Sequence, residues 1–154
     1  MHTIERKEGR LIEARIASPL LADEVDGIVQ TTRMNVLSQP GKVVCVVDLT
    51  RLESLPDTAA DAFVAMFTRD NPKVERSAFL LNRSTSSMIL QVNRMIRAAK
   101  SPSRQSFEDA VALRKWLDEV LQPAERTSLR AFLDNVDRSD PVSSKRGLRP
   151  PSSR

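Results

Sequence analysis

Glycine is scarce in this chain: four occur among 154 residues, at positions 9, 27, 41 and 147. Without a glycine cluster no loop can cradle a phosphate on its backbone N–H groups, and neither the dinucleotide nor the Walker pattern is present. One cysteine (Cys45) and one histidine (His2) supply no disulfide framework, no zinc or iron ligand set and no held imidazole base. Tyrosine is absent, and one tryptophan with five phenylalanines is too little aromatic surface for a base-stacking platform. The first residues after Met1, His-Thr-Ile-Glu-Arg-Lys-Glu, lack the apolar centre of a secretion signal. No run reaches the roughly 20 apolar residues of a membrane span. These gaps predict a soluble cytoplasmic protein without metal, cofactor or catalytic centre.

What is present is enough for one ordinary domain. The chain is 40% hydrophobic and 29% charged, and a chain of this length buries roughly two thirds of its unfolded surface. The net charge is +4. Residues 141–154 hold Lys145, Arg146, Arg149 and Arg154 and no acid, so the remaining residues sum to zero. The basic character belongs to the tail and not to the folded body, which weakens a nucleic-acid reading of the domain.

Proline marks the boundaries of the periodic segments. Residues 3–7 and 10–17 are short and alternating around Glu8-Gly9, which predicts an antiparallel hairpin. Ser18-Pro19 suits an N-cap and first helical position, and Leu21, Val25, Ile28, Val29 and Val36 form a helical stripe that Gln39-Pro40-Gly41 stops. Lys42 to Asp48 is an almost unbroken β-branched run, apolar on both faces, as a central parallel strand should be. After a loop over 49–56, Thr58-x-x-Asp61 matches a capping box, with Phe63, Met66 and Phe67 on the buried side of its helix.

Asn71-Pro72 ends that helix, and Ser77 to Leu81 reads as a second buried strand. Ser84 to Ser87 offer N-caps for a helix striped by Met88, Val92, Met95, Ile96 and Ala99. Arg104 to Phe107 reads as an edge strand, and Ser106-x-x-Asp109 as a capping box for a helix carrying Leu113, Trp116, Leu117 and Val120. Past Gln122-Pro123, residues 124–136 form one more amphipathic helix, whose stripe must be buried on the parent domain or, next in order, in a second copy. From Ser139 the composition is that of a disordered basic tail.

The expected fold class is therefore α/β. It is a single layered domain with a four- to five-stranded mixed, mainly parallel sheet covered by helices, plus an extra C-terminal helix. The expected divisions are 1–121 for the domain, 122–138 for the helical extension and 139–154 for the tail.

The element order resembles the STAS domain, the fold of bacterial anti-sigma-factor antagonists, and especially its STAS/Sec14-like relatives. Val43-Val-Cys-Val-Val-Asp48-Leu-Thr50, the helix start at Asp57-Thr58 and Phe107-Glu-Asp-Ala-Val-Ala-Leu-Arg-Lys-Trp116-Leu117 carry the likeness, which covers about residues 3–121. Antagonists of that family carry an Asp-Ser-Ser-Gly-like turn whose second serine is phosphorylated. Here the matching stretch is Asp57-Thr58-Ala59-Ala60, which puts Ala59 at the modified position. The resemblance thus implies a regulatory, protein-interaction module without the phospho-switch, and from its Sec14-like side a small-ligand or lipid carrier.

In a parallel sheet, loops after adjacent strands meet above the strand ends, where α/β proteins bind their ligands. Those loops bring Asp48, Thr50, Arg51, Asp57 and Thr58 toward Asn82, Arg83, Ser84, Thr85 and Ser86. Arg83 beside a hydroxyl-rich helix start could hold an anion, although capping explains the same hydroxyls and takes precedence. Asp48, Asp57 and Asp61 lack any accompanying base or nucleophile, so a carboxylate centre is not expected. Residues 21–70 carry a balance of −4 and residues 73–104 a balance of +6, with Arg94 and Arg97 sharing one side of the third helix. Either the two helices neutralise each other, or they form a polarised surface that steers a protein partner. Weak nucleic-acid or anionic-membrane binding through the tail and the Arg94/Arg97 face comes third.

Overall fold

A computed structural model describes residues 1–139; the expected basic tail lies outside the described residues. Five strands form one sheet in sequence order: β1 (His2–Glu5), β2 (Leu11–Ile16), β3 (Val43–Asp48), β4 (Val74–Leu80) and β5 (Arg104–Phe107). β1 runs antiparallel to β2, and every later pairing is parallel. The α/β expectation is met, with β3 as the central strand.

α1 (Ala22–Leu37), α2 (Asp57–Asp70) and α3 (Ser86–Ala98) are the crossovers, and they share one face of the sheet. Their core holds Ile28, Phe63, Phe67, Met88 and Val92 against Ile16 and Phe79. α4 (Ala110–Asp118) and α5 (Pro123–Ser139) cover the opposite face, where Leu113, Leu117, Leu129 and Phe132 meet Leu11, Val44, Val46, Ala78 and Leu80. Val44 and Val46 face one layer and Val43 and Cys45 the other, which is why this strand is apolar throughout. The stripe of the last helix is therefore buried on the parent domain.

Helix capping differs from expectation at four places. α1 begins at Ala22, not at Ser18-Pro19, because the Ser18 hydroxyl accepts from the Glu53 N–H (2.9 Å) and its own N–H is given to Arg51 O (3.0 Å). Leu21, expected in the buried stripe, is 64% exposed just outside that helix. α2 takes Pro56 as its cap position, leaving Thr58 inside the helix with no capping hydrogen bond. At α4 the cap is Asp109, which accepts from Val111 N (3.1 Å), while Ser106 donates to Asn93 Oδ1 (2.8 Å). α3 starts at Ser86 with Thr85 at the cap position, and no hydroxyl caps it. β4 also begins earlier than expected, at Val74, because the short turn Asn71–Lys73 delivers the chain straight into pairing with Val43.

Gly9 has a specific reason to be glycine. Its φ is +54°, and a Cβ there would collide with the Glu125 carboxylate. That carboxylate accepts from Arg10 N and Gln122 N, both at 2.8 Å, tying the β1–β2 turn to the start of α5.

Candidate functional site

Parallel strands send their carboxyl ends to one edge, and the crossover helices begin there. The loops after β3 and β4 enclose an open cleft of about 810 Å³ at that edge, lined by Thr50, Arg51, Asn82, Arg83, Ser84 and Thr85, with Ser18, Glu53 and Glu108 among the other lining residues.

Asp48 is the root of the arrangement. It is 4% exposed, and its Oδ1 accepts from Thr50 N (2.9 Å) and Thr50 Oγ1 (2.6 Å). Its Oδ2 accepts from Arg15 Nη1 at 2.8 Å. The same guanidinium donates to Phe132 O (2.7 Å) and lies over the Phe132 ring, so one buried ion pair joins the cleft floor to α5. Thr50 O in turn accepts from Asn82 Nδ2 (3.4 Å), and Asn82 Oδ1 accepts from Ser84 N (3.0 Å) and Ser84 Oγ (2.7 Å). The two loops are thereby cross-tied, and the Ser84 hydroxyl is used inside the loop instead of on the helix.

This tying uses the short polar side chains and leaves the long charged ones open, the carboxylates Glu53 and Glu108 as well as two guanidiniums. The Arg51 and Arg83 side chains are exposed and make no hydrogen bond or ion pair among the described residues. The structure thus brings Asp48, Thr50, Arg83, Ser84 and Thr85 together, with Asp48 beneath the cleft. Asp57 and Thr58 are exposed at the start of α2 and do not line it. No three His, Cys, Asp or Glu side chains converge on a metal-sized site among the described residues.

Arg94 and Arg97 lie on the exposed side of α3, also outside the cleft. They pair with no acid of α2 among the described residues. The buried acid of α2, Asp70, is instead held by Arg33 and Arg69, each at 2.9 Å. The sequence pattern singles out none of Arg15, Ser18, Glu53 and Glu108 for this edge: Arg15 and Ser18 reach it through contacts over long separations, while Glu53 and Glu108 sit in the loops after β3 and β5.

The space between the sheet and α1–α3 is about 70 Å³ and mostly apolar. A drug-sized or lipid-like ligand needs roughly 300 Å³ or more. Cys45 lines this space, and burial pushes its thiol up to about 11, which keeps it protonated and inert. Among the described residues no helix is long and apolar enough to cross a membrane.

Among solved structures, the chain is similar to an uncharacterized protein of the DUF3478 family with a SpoIIAA-like fold, from Shewanella loihica PV-4. The match covers 76% of this chain and 92% of that one, with a TM-score of 0.56 and 17% identity. At that identity the likeness shows the fold alone: the chain has a SpoIIAA-like (STAS-like) α/β fold. No protein-family model and no curated protein matches the chain.

Proposed function

We propose that this chain is a non-enzymatic, cytoplasmic interaction module of the STAS type that docks an acidic protein surface at its carboxyl-edge cleft. The observation that carries the reading is the pair of exposed guanidiniums, Arg51 and Arg83, on loops cross-tied through Asn82; Arg94 and Arg97 nearby on α3 outweigh the two exposed carboxylates of the cleft, Glu53 and Glu108. Preset loops lower the ordering cost of association, and unpaired cations steer an acidic partner. Arg94 and Arg97 extend the same sign along α3. The position matching the family's phosphoserine is Ala59, 5% exposed and packed in the α1–α3 core, which supports an interaction without that switch. The small interior space favours this reading over a lipid carrier.

The test compares the wild type with Arg51→Glu/Arg83→Glu in affinity capture from the protein's own cytosol, followed by native mass spectrometry. The expected result is a partner retained by the wild type at low salt and lost from the variant, with unfolding temperatures alike. Equal capture by both chains, or a monomer that captures nothing and turns over a metabolite, overturns the proposal.

A further inference from the structure

The register of the sheet sets three polar side chains in one row. Cys45 on β3 is paired with Ser77 on β4, and Ser77 with Arg104 on β5. All three line the space beneath α1–α3. Ser77 is 0% exposed, and its hydroxyl has no hydrogen-bond partner. Buried hydroxyls are normally satisfied, so an orphan at the wall of a cavity points to something that belongs there.

Arg104 sharpens the point. It is 8% exposed, and its Nε donates to Asn71 Oδ1 (3.1 Å) and Ser101 Oγ (3.2 Å) and its Nη2 to Phe67 O (3.3 Å). Nη1 donates to nothing among the described residues, and no carboxylate lies within ion-pair reach. Asp70, the buried acid of this region, is taken by Arg33 and Arg69. The Arg104 guanidinium lies over the Phe67 ring (4.4 Å) and feels the Asp70 charge at a distance, but it has no direct ion pair, so a bound anion would offset the cost of its burial.

Size and wall chemistry narrow the ligand. A water takes about 10–15 Å³ of such space, so the cavity of about 70 Å³ accepts on the order of five non-hydrogen atoms. Apart from the polar row, the walls are mainly apolar side chains such as Ile12, Phe63, Phe67, Phe79 and Val92. An inorganic anion leaves those walls against a fully charged surface. A neutral apolar molecule leaves Ser77 and Arg104 unserved. A short alkyl chain ending in a carboxylate meets both demands.

We propose that the Ser77–Arg104 row and the cavity above it form a binding site for a small monocarboxylate of about three or four carbons. The carboxylate accepts from Arg104 Nη1 and the Ser77 hydroxyl, and the alkyl end packs among the apolar walls. The site is separate from the carboxyl-edge cleft and stands or falls independently of it.

The probe is sodium butyrate added to the full chain, followed by ¹H–¹⁵N NMR and by thermal unfolding, with sodium chloride and n-butanol as matched controls. Saturable shifts centred on residues 45, 77 and 104, with a rise in unfolding temperature that neither control reproduces, are expected. Ser77→Ala removes an unpartnered group, so its unfolding temperature without butyrate should equal or exceed the wild type's, while butyrate affinity falls about tenfold or more. Cys45→Leu fills the space and should abolish binding in a folded chain. Arg104→Gln should also abolish it, but this variant disturbs the end of α2, so Ser77→Ala and Cys45→Leu decide the matter. The proposal is overturned by any one of four results: no saturable response, an equal response to chloride or butanol, unchanged affinity in Ser77→Ala, or a crystal grown with butyrate that shows only water in the cavity.

Discussion

The two faces of the sheet are covered by different means. On one, α1, α2 and α3 follow directly from the strands they cross; their core is apolar, Ile28, Phe63, Phe67, Met88 and Val92 over Ile16 and Phe79, and the polar strand contacts come from the edge strand β5, Arg104 to Phe67 O and Ser106 to Asn93. The buried acid there, Asp70, joins helix to helix through Arg33. On the other face the apolar patch is bordered by polar groups of β2 that reach α5 directly. Glu13 accepts from Ser128 Oγ at 2.5 Å, and Arg15 donates to Phe132 O, across 115 and 117 residues of chain. Arg10 N donates to Glu125 across another 115. A crossover helix is delivered to its place by short connections. α5 follows α4 by a short connection as well, but its contacts with β2 close loops of more than a hundred residues, and directional polar contacts fix where it lands.

The largest test of that difference is removal of α5. A chain ended at Leu121 exposes Leu11, Val44, Val46 and Leu113 and strips Glu13 and Arg15 of their partners, so cooperative thermal unfolding by circular dichroism should disappear. On the opposite face Phe63→Ala should leave a folded chain destabilised by about 3–5 kcal/mol. A shortened chain that still unfolds cooperatively near the wild-type temperature would make α5 an accessory and erase the contrast.

Asp48→Ala comes next. It leaves the Arg15 guanidinium between β2 and Phe132 without its carboxylate and releases Thr50 at the cleft. Losing one partner of a buried pair costs about 3–5 kcal/mol, and the 26% exposure of the Arg15 side chain places this one at about 3 kcal/mol. A urea midpoint within error of the wild type would show that the pair does not clamp α5.

The smallest effect concerns Glu13, whose pKa is raised from 4.5 chiefly by burial, against the opposing hydrogen bond from Ser128. Because the folded value exceeds the unfolded one, the stability this carboxyl contributes is fully present below pH 4.5. It is lost as pH rises through the folded value. Glu13→Gln should therefore raise stability at pH 7 and show a smaller difference below pH 4.5 in paired urea titrations. A loss of stability at pH 7 would mean that the Ser128 contact outweighs desolvation.

Much of the fold was legible locally. The valine run around Cys45, the hairpin glycine and the stripe Leu129, Phe132, Leu133 and Val136 each gave their element from periodicity alone. The expected helix caps fail where a serine has a stronger partner elsewhere: Ser18 on Glu53, Ser84 on Asn82 and Ser106 on Asn93. Capping boxes compete with tertiary hydrogen bonds that a four-residue window does not contain. The candidate cleft was half legible. Topology brought Thr50, Arg83, Ser84 and Thr85 to one edge, but Asp57 and Thr58 turn away because α2 starts one residue before the expected cap.

The order of strands and helices, the apolar stripes and the separation of acidic from basic segments follow from the residues read along the chain, because periodicity, proline and charge are local properties. Which charges remain unpaired and which polar groups are buried depends on how the elements pack. Cys45, Ser77 and Arg104 are separated by about thirty residues at each step, and no pattern in the chain relates them. Strand register does, because pairing fixes which side chains share a row and a face.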